Sequence, residues 1–321
     1  MPQVSIGMPV YNGENFIEQA IESLLRQTFG DFELIISDNA STDATASICE
    51  RFAAQDARIR YLRANKNHGA SWNHEVVIRA ARAPLFKLAA HDDTCESTHL
   101  ERCVSALKDN PNAVLAYTKT LMRFEQRDQL SYYNDEVALE SPIAALRYGD
   151  LLNEAPPAFP IFGVVRLNAL LSIPRFEAYK ASDRVVLSRL ALMSPFIYID
   201  EPLFHYRWHA DNASNLMNTR DGFYRWWNPN GRSKKVFPEL RLAWEHLKSP
   251  FLIPLNFKQR RACLREWRLW LRTRWPHVKD DVAQLWGGEA NAFGQTDMIQ
   301  KAIARSARRH VKTQLYGPDK H

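Results

Sequence analysis

Short apolar runs alternate with amphipathic segments over the first hundred residues, and this alternation restricts the fold more than any other feature of the sequence. An apolar run at 4–10 ends in a turn sequence, and apolar side chains then recur at helical spacing over 16–27. The same order repeats over 32–54 and 60–81, and a further strand follows at 85–90. Successive β-α-β units predict an α/β protein with a mostly parallel sheet flanked by helices.

Polar residues follow three of the predicted strands, at Tyr11–Asn15, Asp38–Asp43 and His91–Asp93. The carboxyl ends of parallel strands lie at one edge of a sheet, and ligands bind in the crevice outside that edge. We therefore expect the three loops to share one crevice. The carboxylates that they carry suit a polar ligand and a divalent metal.

Charge is distributed unevenly along the chain. Residues 1–216 carry 21 Lys and Arg against 27 Asp and Glu, a net charge of −6. Residues 217–321 carry 21 against 9, a net charge of +12, together with seven of the nine tryptophans. The strand pattern also stops near residue 216. We predict an α/β domain over 1–216 and a basic, Trp-rich helical C-terminal extension over 217–321.

The four cysteines, at positions 49, 95, 103 and 263, show no metal-ligand spacing and no pairing pattern. Their isolation argues against a zinc ribbon and a disulfide scaffold, and it favours a reducing compartment. No uninterrupted apolar run reaches the roughly 20 residues of a membrane span. The first ten residues have the pattern of a strand and not of a signal peptide. These features predict a cytoplasmic protein.

Four segments, at 4–13, 33–43, 67–69 and 91–93, resemble the family 2 glycosyltransferases in both order and spacing. The resemblance implies the nucleotide-sugar-binding fold called GT-A, with a nucleotide-sugar half over about 1–97 and an acceptor half over about 98–216. It also implies transfer of a sugar, with inversion at the anomeric carbon, from a nucleoside-diphosphate sugar to an acceptor hydroxyl. A UDP-sugar is the favoured donor, and a lipid-linked or cell-envelope glycan is the favoured acceptor.

The resemblance also implies which residues bind the nucleotide-sugar. They are Pro9, Val10, Tyr11, Glu14, Asp38, Asn39, Asn67, Gly69, His91, Asp92 and Arg207. Asp38 would accept a hydrogen bond from the base, unless Arg63 or Lys66 pairs with this buried carboxylate instead. Tyr11 suits either a base pocket or an ordinary turn, and Glu14 suits either a ribose contact or the start of a helix.

His91-Asp92-Asp93 stands where the family has its D-x-D metal motif, and Ala90 replaces the first Asp of that motif. The resemblance implies that Asp92 is a direct ligand of Mg²⁺ or Mn²⁺ and that His209 is a further ligand. Losing the first carboxylate weakens the attraction for a hard cation, since each anionic ligand adds to it.

Asp183 aligns with the catalytic base of the family, the group that takes the proton from the acceptor hydroxyl. The segment 201–209 supports this alignment, because it reads E-P-L-x-x-Y-R-x-H, as family members do after the base. Asp183 alternatively serves only as the N-cap of the helix that it precedes.

Two other functions are open to such a chain. A metal-dependent nucleotidyltransferase uses a similar sheet, but it is expected to have a Gly-rich, Lys- or Arg-bearing loop after the first strand, and residues 9–15 show neither feature. A nucleic-acid-binding protein would use the basic C-terminal third, with an affinity that falls steeply with salt. We expect no nucleic-acid partner.

The segment 257–275 predicts an amphipathic helix with a basic stripe. The stripe consists of Lys258, Arg261, Arg265, Arg268 and Arg272, and Cys263, Leu264, Trp267, Trp270 and Leu271 fall on the other side. Such a helix either lies on an anionic membrane or packs its apolar face onto the domain. We expect peripheral contact with the inner face of the cell membrane through this segment.

Overall fold

A computed structural model of the chain describes residues 1–124, 129–133, 139–152, 158–209 and 237–285. The strands are β1 (Val4–Val10), β2 (Phe32–Asp38), β3 (Ile59–Arg63), β4 (Leu85–Leu88), β5 (Thr94–Cys95), β6 (Leu115–Phe124), β7 (Gln129–Tyr133), β8 (Val164–Arg166) and β9 (Phe196–Trp208). The helices are α1 (Ile17–Leu25), α2 (Thr45–Gln55), α3 (Ala70–Ala80), α4 (His99–Asp109), α5 (Ala144–Leu152), α6 (Leu167–Leu171), α7 (Ser182–Met193), α8 (Pro238–Leu252) and α9 (Phe257–Leu285). The start of the predicted extension, at 217–236, and its last part, at 286–321, lie outside the described residues.

In the described part of the chain, one sheet runs in the order β3-β2-β1-β4-β8-β6-β9-β5, and β7 pairs with the far end of β6. β1 is parallel to β2 and β4, and β2 is parallel to β3. β8 then enters antiparallel between β4 and β6, while β6 and β9 run parallel. The predicted α/β class is confirmed, and the parallel pairing of the first four strands gives them a common carboxyl edge.

Helices cover both faces of the sheet, as the β-α-β pattern predicts. Apolar side chains of α1, α2 and α4 pack on one face, where they meet the inward residues of β1. Those of α3, α5, α6 and α7 pack on the other face. Successive residues of β2 point to opposite faces, so Leu34 and Ile36 lie in the first core and Ile35 lies in the second.

Strand β9 is longer than the sequence predicts. The pattern indicates a strand only at 196–199, ahead of the segment 201–209. Pairing with β6 continues instead through Trp208, with a register shift between Thr118 and Thr120. Strand β7, which the sequence pattern does not predict, pairs antiparallel with the same part of β6. Cross-strand hydrogen bonds therefore determine how far β9 extends, and the periodicity of its side chains does not.

Helices α8 and α9 share the second core with the α/β domain. Cys263 and Trp270 of α9 are buried there, and the indole N–H of Trp267 donates to the carbonyl of Ala243 at 3.0 Å. The apolar side of the helix predicted at 257–275 thus packs onto the domain. This is the second of the two interpretations of that segment, the first being contact with an anionic membrane. No helix among the described residues is long and apolar enough to cross a membrane.

The largest fully buried side chain is that of Arg189, in the middle of α7. Its guanidinium donates to Glu245 Oε2 of α8 at 2.6 Å and to the carbonyl of Pro174 at 2.8 Å. Both charged side chains have zero exposure. A buried charge without a partner is costly, so this pair joins α7, α8 and the segment before α7 into one unit.

Replacing Arg189 with methionine should destabilise the fold by about 3 kcal/mol, because Glu245 Oε2 and the buried carbonyl of Pro174 lose their donor while Arg241 and Lys248 still pair with Glu245 Oε1. Arg26→Met is the matched control, since Arg26 pairs with Glu22 on the exposed surface of α1. That change should alter the free energy of unfolding by no more than about 0.5 kcal/mol. Urea unfolding of both variants measures the difference, and equal stabilities contradict the role given to Arg189.

Candidate functional site

The loops after β1 and β2 are hydrogen-bonded to each other at the carboxyl edge of the sheet. The backbone N–H of Asn12 donates to Ser41 Oγ at 2.9 Å, and that of Gly13 donates to Thr45 Oγ1 at 2.8 Å. The loop after β4 joins them, because a Cβ at Gly13 would stand 2.6 Å from the ring of His91. The three loops therefore meet at one edge of the sheet, as the sequence predicts, and the crevice between them stays a prediction.

Three residues other than glycine have a left-handed backbone, and two of them lie in the loops at this edge of the sheet. They are the only such residues in the described part of the chain: Asn12 (φ 53°), Ala40 (φ 62°) and Ala181 (φ 57°). Each lies in a loop after β1, after β2 or before α7. An alanine in this conformation costs roughly 1–2 kcal/mol, and such strain is concentrated at functional sites.

Asp38 is fully buried at the end of β2, and its carboxylate has partners within the protein. Oδ1 accepts the N–H of Ser41 at 2.8 Å, and Oδ2 accepts the hydroxyl of Tyr61 at 2.8 Å. Arg63 Nε lies 3.5 Å from Oδ2, so the ion pair considered as an alternative in the sequence is present. The burial of Asp38 therefore does not require a ligand, and its contact with the base stays a prediction.

Asn39 connects the loop after β2 to the turn before α3. Its amide nitrogen donates to Asn67 Oδ1 and to the carbonyl of Gly69, and its oxygen accepts the N–H of His68 at 2.9 Å. Asn67 Oδ1 also accepts the N–H of Gly69, whose φ of 86° favours glycine. The structure thus uses Asn39, Asn67 and Gly69 to hold two loops together.

Two further residues predicted to contact the donor also have structural partners. Glu14 Oε2 accepts the N–H of Ala44 at 2.8 Å, so this carboxylate pairs with a backbone donor at the N-terminus of α2. The carbonyl of Val10 accepts the backbone N–H of Asn39 at 2.9 Å and the side chain of Asn73 at 3.1 Å. Pro9 is half-buried beside them, and the Tyr11 ring is 42% exposed at the crevice.

Asp92 and His209 are in direct contact. His209 Nε2 lies 3.0 Å from Asp92 Oδ2, although 117 residues separate the two in sequence. Burial opposes the charge of Asp92, but the hydrogen bond from His209 and the nearby imidazoles hold the pKa of this carboxyl below its ordinary value. Both predicted metal ligands therefore stand side by side, with Asp92 in its charged form.

Arg207 fixes the end of β9 against the loop after β4. Its Nε donates to the carbonyl of Asp92 at 3.1 Å, and one terminal nitrogen donates to Gln19 Oε1 at 2.7 Å. Phe16 lies under the guanidinium at 4.7 Å and contacts the ring of His209 at 4.4 Å. Arg207 thus positions Asp92 and His209, and its contact with a diphosphate stays a prediction.

Asp93 is buried directly beneath Asp92. Its Oδ1 accepts the backbone N–H of Arg207 at 2.9 Å, and its Oδ2 has no hydrogen-bond partner among the described residues. Burial, together with the charge of Asp92, raises the pKa of Asp93 well above its ordinary value. The fold therefore favours the charged form of Asp92 and disfavours the charged form of Asp93.

The residues around Asp92 fit a divalent cation that a substrate also binds. Among the described residues, no group of three or more His, Cys, Asp and Glu side chains could enclose a metal. Asp92 and His209 supply two donors, and a small hard cation commonly takes one or two protein ligands and completes its shell with water and phosphate oxygens. His91 lies half-buried beside this pair, against Gly13.

Asp183 is the second residue of α7, and Ala181 stands at the N-cap in its place. Its Oδ1 accepts the N–H of Arg184 at 2.8 Å, and its side chain is half-buried. The N-terminus of a helix favours a negative charge, so this position suits an ionised carboxylate. Among the described residues, no hydrogen bond joins Asp183 to Asp92 or His209.

Three side chains shape the site without being predicted from the sequence. Tyr61 donates to Asp38 from the weakly patterned strand β3. Phe16 and Gln19 support Arg207 from the start of α1, although 188 residues separate Gln19 from Arg207. Only Phe16 carried a signal, as an aromatic residue directly before an amphipathic run.

Comparison with known proteins identifies related sequences and folds. Residues 5–149 match the family model described as "Glycosyl transferase family 2". An uncharacterized glycosyltransferase EpsJ of Bacillus subtilis is 38% identical over 110 residues, which are 34% of this chain and 32% of EpsJ. The chain therefore spans about a third of that relative.

Two solved structures resemble the whole described fold. The structure of S. aureus TarS 1–349 aligns over 97% of this chain and 92% of its own, with a TM-score of 0.59 and 16% identity. A mannosyltransferase of Pyrobaculum calidifontis, described in complex with GDP-Man and Mn²⁺, aligns over 99% and 81%, with a TM-score of 0.55 and 16% identity. These likenesses confirm the GT-A-type fold, and nothing in them supports a nucleotidyltransferase or a nucleic-acid-binding protein.

Changing Asp93 to asparagine should stabilise the protein at neutral pH. Because the pKa of Asp93 is raised on folding, ionisation penalises the folded state once the pH exceeds the ordinary carboxyl value of 3.8. Asparagine removes the penalty and keeps the acceptor for Arg207. Melting temperatures from pH 4 to 8 should show a gain that grows with pH, whereas the exposed Asp31→Asn should show no such trend. A destabilised Asp93→Asn at pH 8 contradicts the prediction.

Proposed function

We propose that the protein is an inverting glycosyltransferase, because residues 5–149 match the model of glycosyl transferase family 2. It transfers a sugar from a nucleoside-diphosphate donor to a hydroxyl of a glycan or lipid-linked acceptor. The observation that carries the proposal is the contact between Asp92 and His209 at the edge of the sheet where three loops meet. This contact unites a motif inside the matched family region with a residue beyond it.

Asp183 is the proposed catalytic base. Its carboxylate takes the proton from the acceptor hydroxyl as the acceptor oxygen forms its bond to the anomeric carbon of the donor sugar. The bond from that carbon to the diphosphate oxygen breaks on the opposite face, and the nucleoside diphosphate leaves with the electron pair. One base and one in-line displacement give inversion of configuration.

The first turn of α7 suits a base of this kind. The backbone N–H groups at a helix N-terminus stabilise a carboxylate, and the half-buried position leaves Asp183 open to an acceptor. The strained backbone of Ala181 sets the direction in which α7 begins. Ion pairing of Arg189 with Glu245 then holds the helix in place from its middle.

Asp92 and His209 are the proposed ligands of Mg²⁺ or Mn²⁺. When bound, the cation offsets the charge that develops on the leaving diphosphate. Arg207 and Phe16 hold the two ligands in position, and the buried Asp93 anchors the backbone of Arg207. Ala90 takes the place of one carboxylate, so the diphosphate itself supplies part of the negative charge around the cation.

Two nucleotide-sugars serve as probes of the donor, because two structures with a similar fold are complexes with them. S. aureus TarS is described in complex with UDP-GlcNAc, and the mannosyltransferase is described in complex with GDP-Man. The protein should release nucleoside diphosphate slowly from at least one of these donors in the presence of Mn²⁺, with water as the acceptor. The absence of release and of donor binding, with either metal, contradicts the proposed function.

The change Asp183→Asn separates catalysis from a structural role. Asparagine still accepts a hydrogen bond at the start of α7, but it cannot take a proton, so turnover should fall about a hundredfold or more while the donor still binds. Asp31→Asn is the control for a loss of one surface carboxylate. Nucleoside diphosphate release and donor-induced thermal shifts measure the two effects, and unchanged turnover in Asp183→Asn eliminates it as the base.

The second proposal concerns the outer face of α9 and an anionic membrane. Arg261, Arg268, Arg272 and Lys279 are exposed on one side of the helix, at steps of four or seven residues. Phe257 and Trp275 belong to the same stripe and are 80% and 50% exposed. Arg265 lies on this stripe too, but it is half-buried. Basic groups beside exposed aromatics match a headgroup layer, which an enzyme acting on a lipid-linked acceptor must approach.

Triple replacement of Arg261, Arg268 and Arg272 by glutamine should weaken binding to vesicles of equal parts phosphatidylglycerol and phosphatidylcholine about a hundredfold at low salt. The control replaces the exposed Arg26, Arg51 and Arg102 by glutamine, which changes the net charge equally at other surfaces. Co-sedimentation measures both variants. Equal losses in the two would assign the effect to overall charge and contradict a docking role for α9.

A further inference from the structure

A cavity of about 550 Å³ lies between the start of α3 and the segment 173–178 that leads into α7. Its volume falls within the range of about 300–1,000 Å³ that is typical of pockets for small molecules. The cavity is separate from the contact between Asp92 and His209, and none of the residues predicted from the sequence to bind the donor lines it. The proposed function therefore leaves it without a role.

Aromatic rings form one wall of the cavity. Trp72 keeps 38% of its surface exposed, although it stacks on the ring of His68 at 4.3 Å with 27° between the planes. Phe176 adds a second ring, which packs against His74 at 4.8 Å. An exposed, ring-supported indole is a platform for the flat face of a ligand, and the C–H face of a pyranose matches it.

Carboxylates and a guanidinium also line the cavity. Arg175 is held by Glu75, with Nε 2.9 Å from Oε2. Glu75 also pairs with Arg79, and Glu177 pairs with Arg241 at 2.8 Å and is 44% exposed. The charges of the two carboxylates are therefore matched, and their remaining lone pairs accept hydrogen bonds from hydroxyl groups. This lining suits a neutral polyol.

Hydrogen bonds connect the segment that lines the cavity to α3 and to α7, the helix that carries Asp183. Ser71 Oγ of α3 donates to the carbonyl of Phe176 at 2.6 Å, and Arg189 of α7 donates to the carbonyl of Pro174 at 2.8 Å. The cavity is thus lined by a segment that α7 holds directly.

We propose that this cavity binds one neutral pyranose unit of the acceptor glycan, with its C–H face on Trp72 and its hydroxyls toward Glu75 and Glu177. The proposal rests on the proposed function, since it gives the acceptor a chemical class and a place beside the base. Binding energy gained at this unit positions the reacting hydroxyl, because it fixes a neighbouring part of the same molecule.

Saturation-transfer NMR without any nucleotide tests the cavity directly. The probes are methyl glycosides of glucose, galactose and N-acetylglucosamine. We expect at least one to bind the wild type at millimolar concentrations, and to bind Trp72→Ala at least tenfold more weakly, a difference of about 1.4 kcal/mol. Trp244→Ala, which removes a 57% exposed tryptophan from α8, should bind like the wild type.

Glu177→Ala provides a second variant at a half-exposed position, should Trp72→Ala fail to fold. Its binding should weaken at least threefold. The proposal is overturned if no methyl glycoside binds the wild type, if both variants bind as the wild type does, or if UDP displaces the glycoside. Release of nucleoside diphosphate by the wild type is measured separately, so failure of the cavity and failure of the glycosyltransferase activity are distinguished.

Discussion

The buried ion pair of Arg189 with Glu245 is the interaction on which the packing of α7 against α8 depends. The guanidinium also donates to the carbonyl of Pro174, and neither charged side chain is exposed to water. Without α8, Arg189 would lose the carboxylate that matches it, in the helix that also carries Asp183. The C-terminal helices are thus part of the packed core of the described protein, even though their composition sets them apart in the sequence.

Polar residues at the carboxyl edge of the sheet serve largely to join loops. Asp38, Asn39 and Glu14 were candidates for ligand contact because a polar group at a buried strand end needs a partner. Each finds that partner in a backbone N–H or a hydroxyl of a neighbouring loop. Rigid loops are themselves useful at a binding site, since they leave less conformational entropy to lose when a ligand binds.

Local periodicity was enough to predict the first four strands and their helices, because each unit packs on its sequence neighbours. It failed for β9, where pairing with β6 continues beyond residue 199, and for β7, whose polar sequence has no alternation. The metal motif and His209 could be predicted only through the family resemblance. The support given by Gln19 and Tyr61 could not be predicted at all, because such contacts depend on how distant segments cross.

The position of β8 in the middle of the sheet has a consequence for synthesis. Strands β1 to β4 are complete once residue 88 has left the ribosome, yet the neighbour of β4 is formed by residues 164–166. During the interval, β4 presents an open row of backbone donors and acceptors to other nascent chains. A pause in translation over those seventy-odd codons would prolong that exposure, so the order of the strands makes elongation speed a determinant of how much chain escapes aggregation.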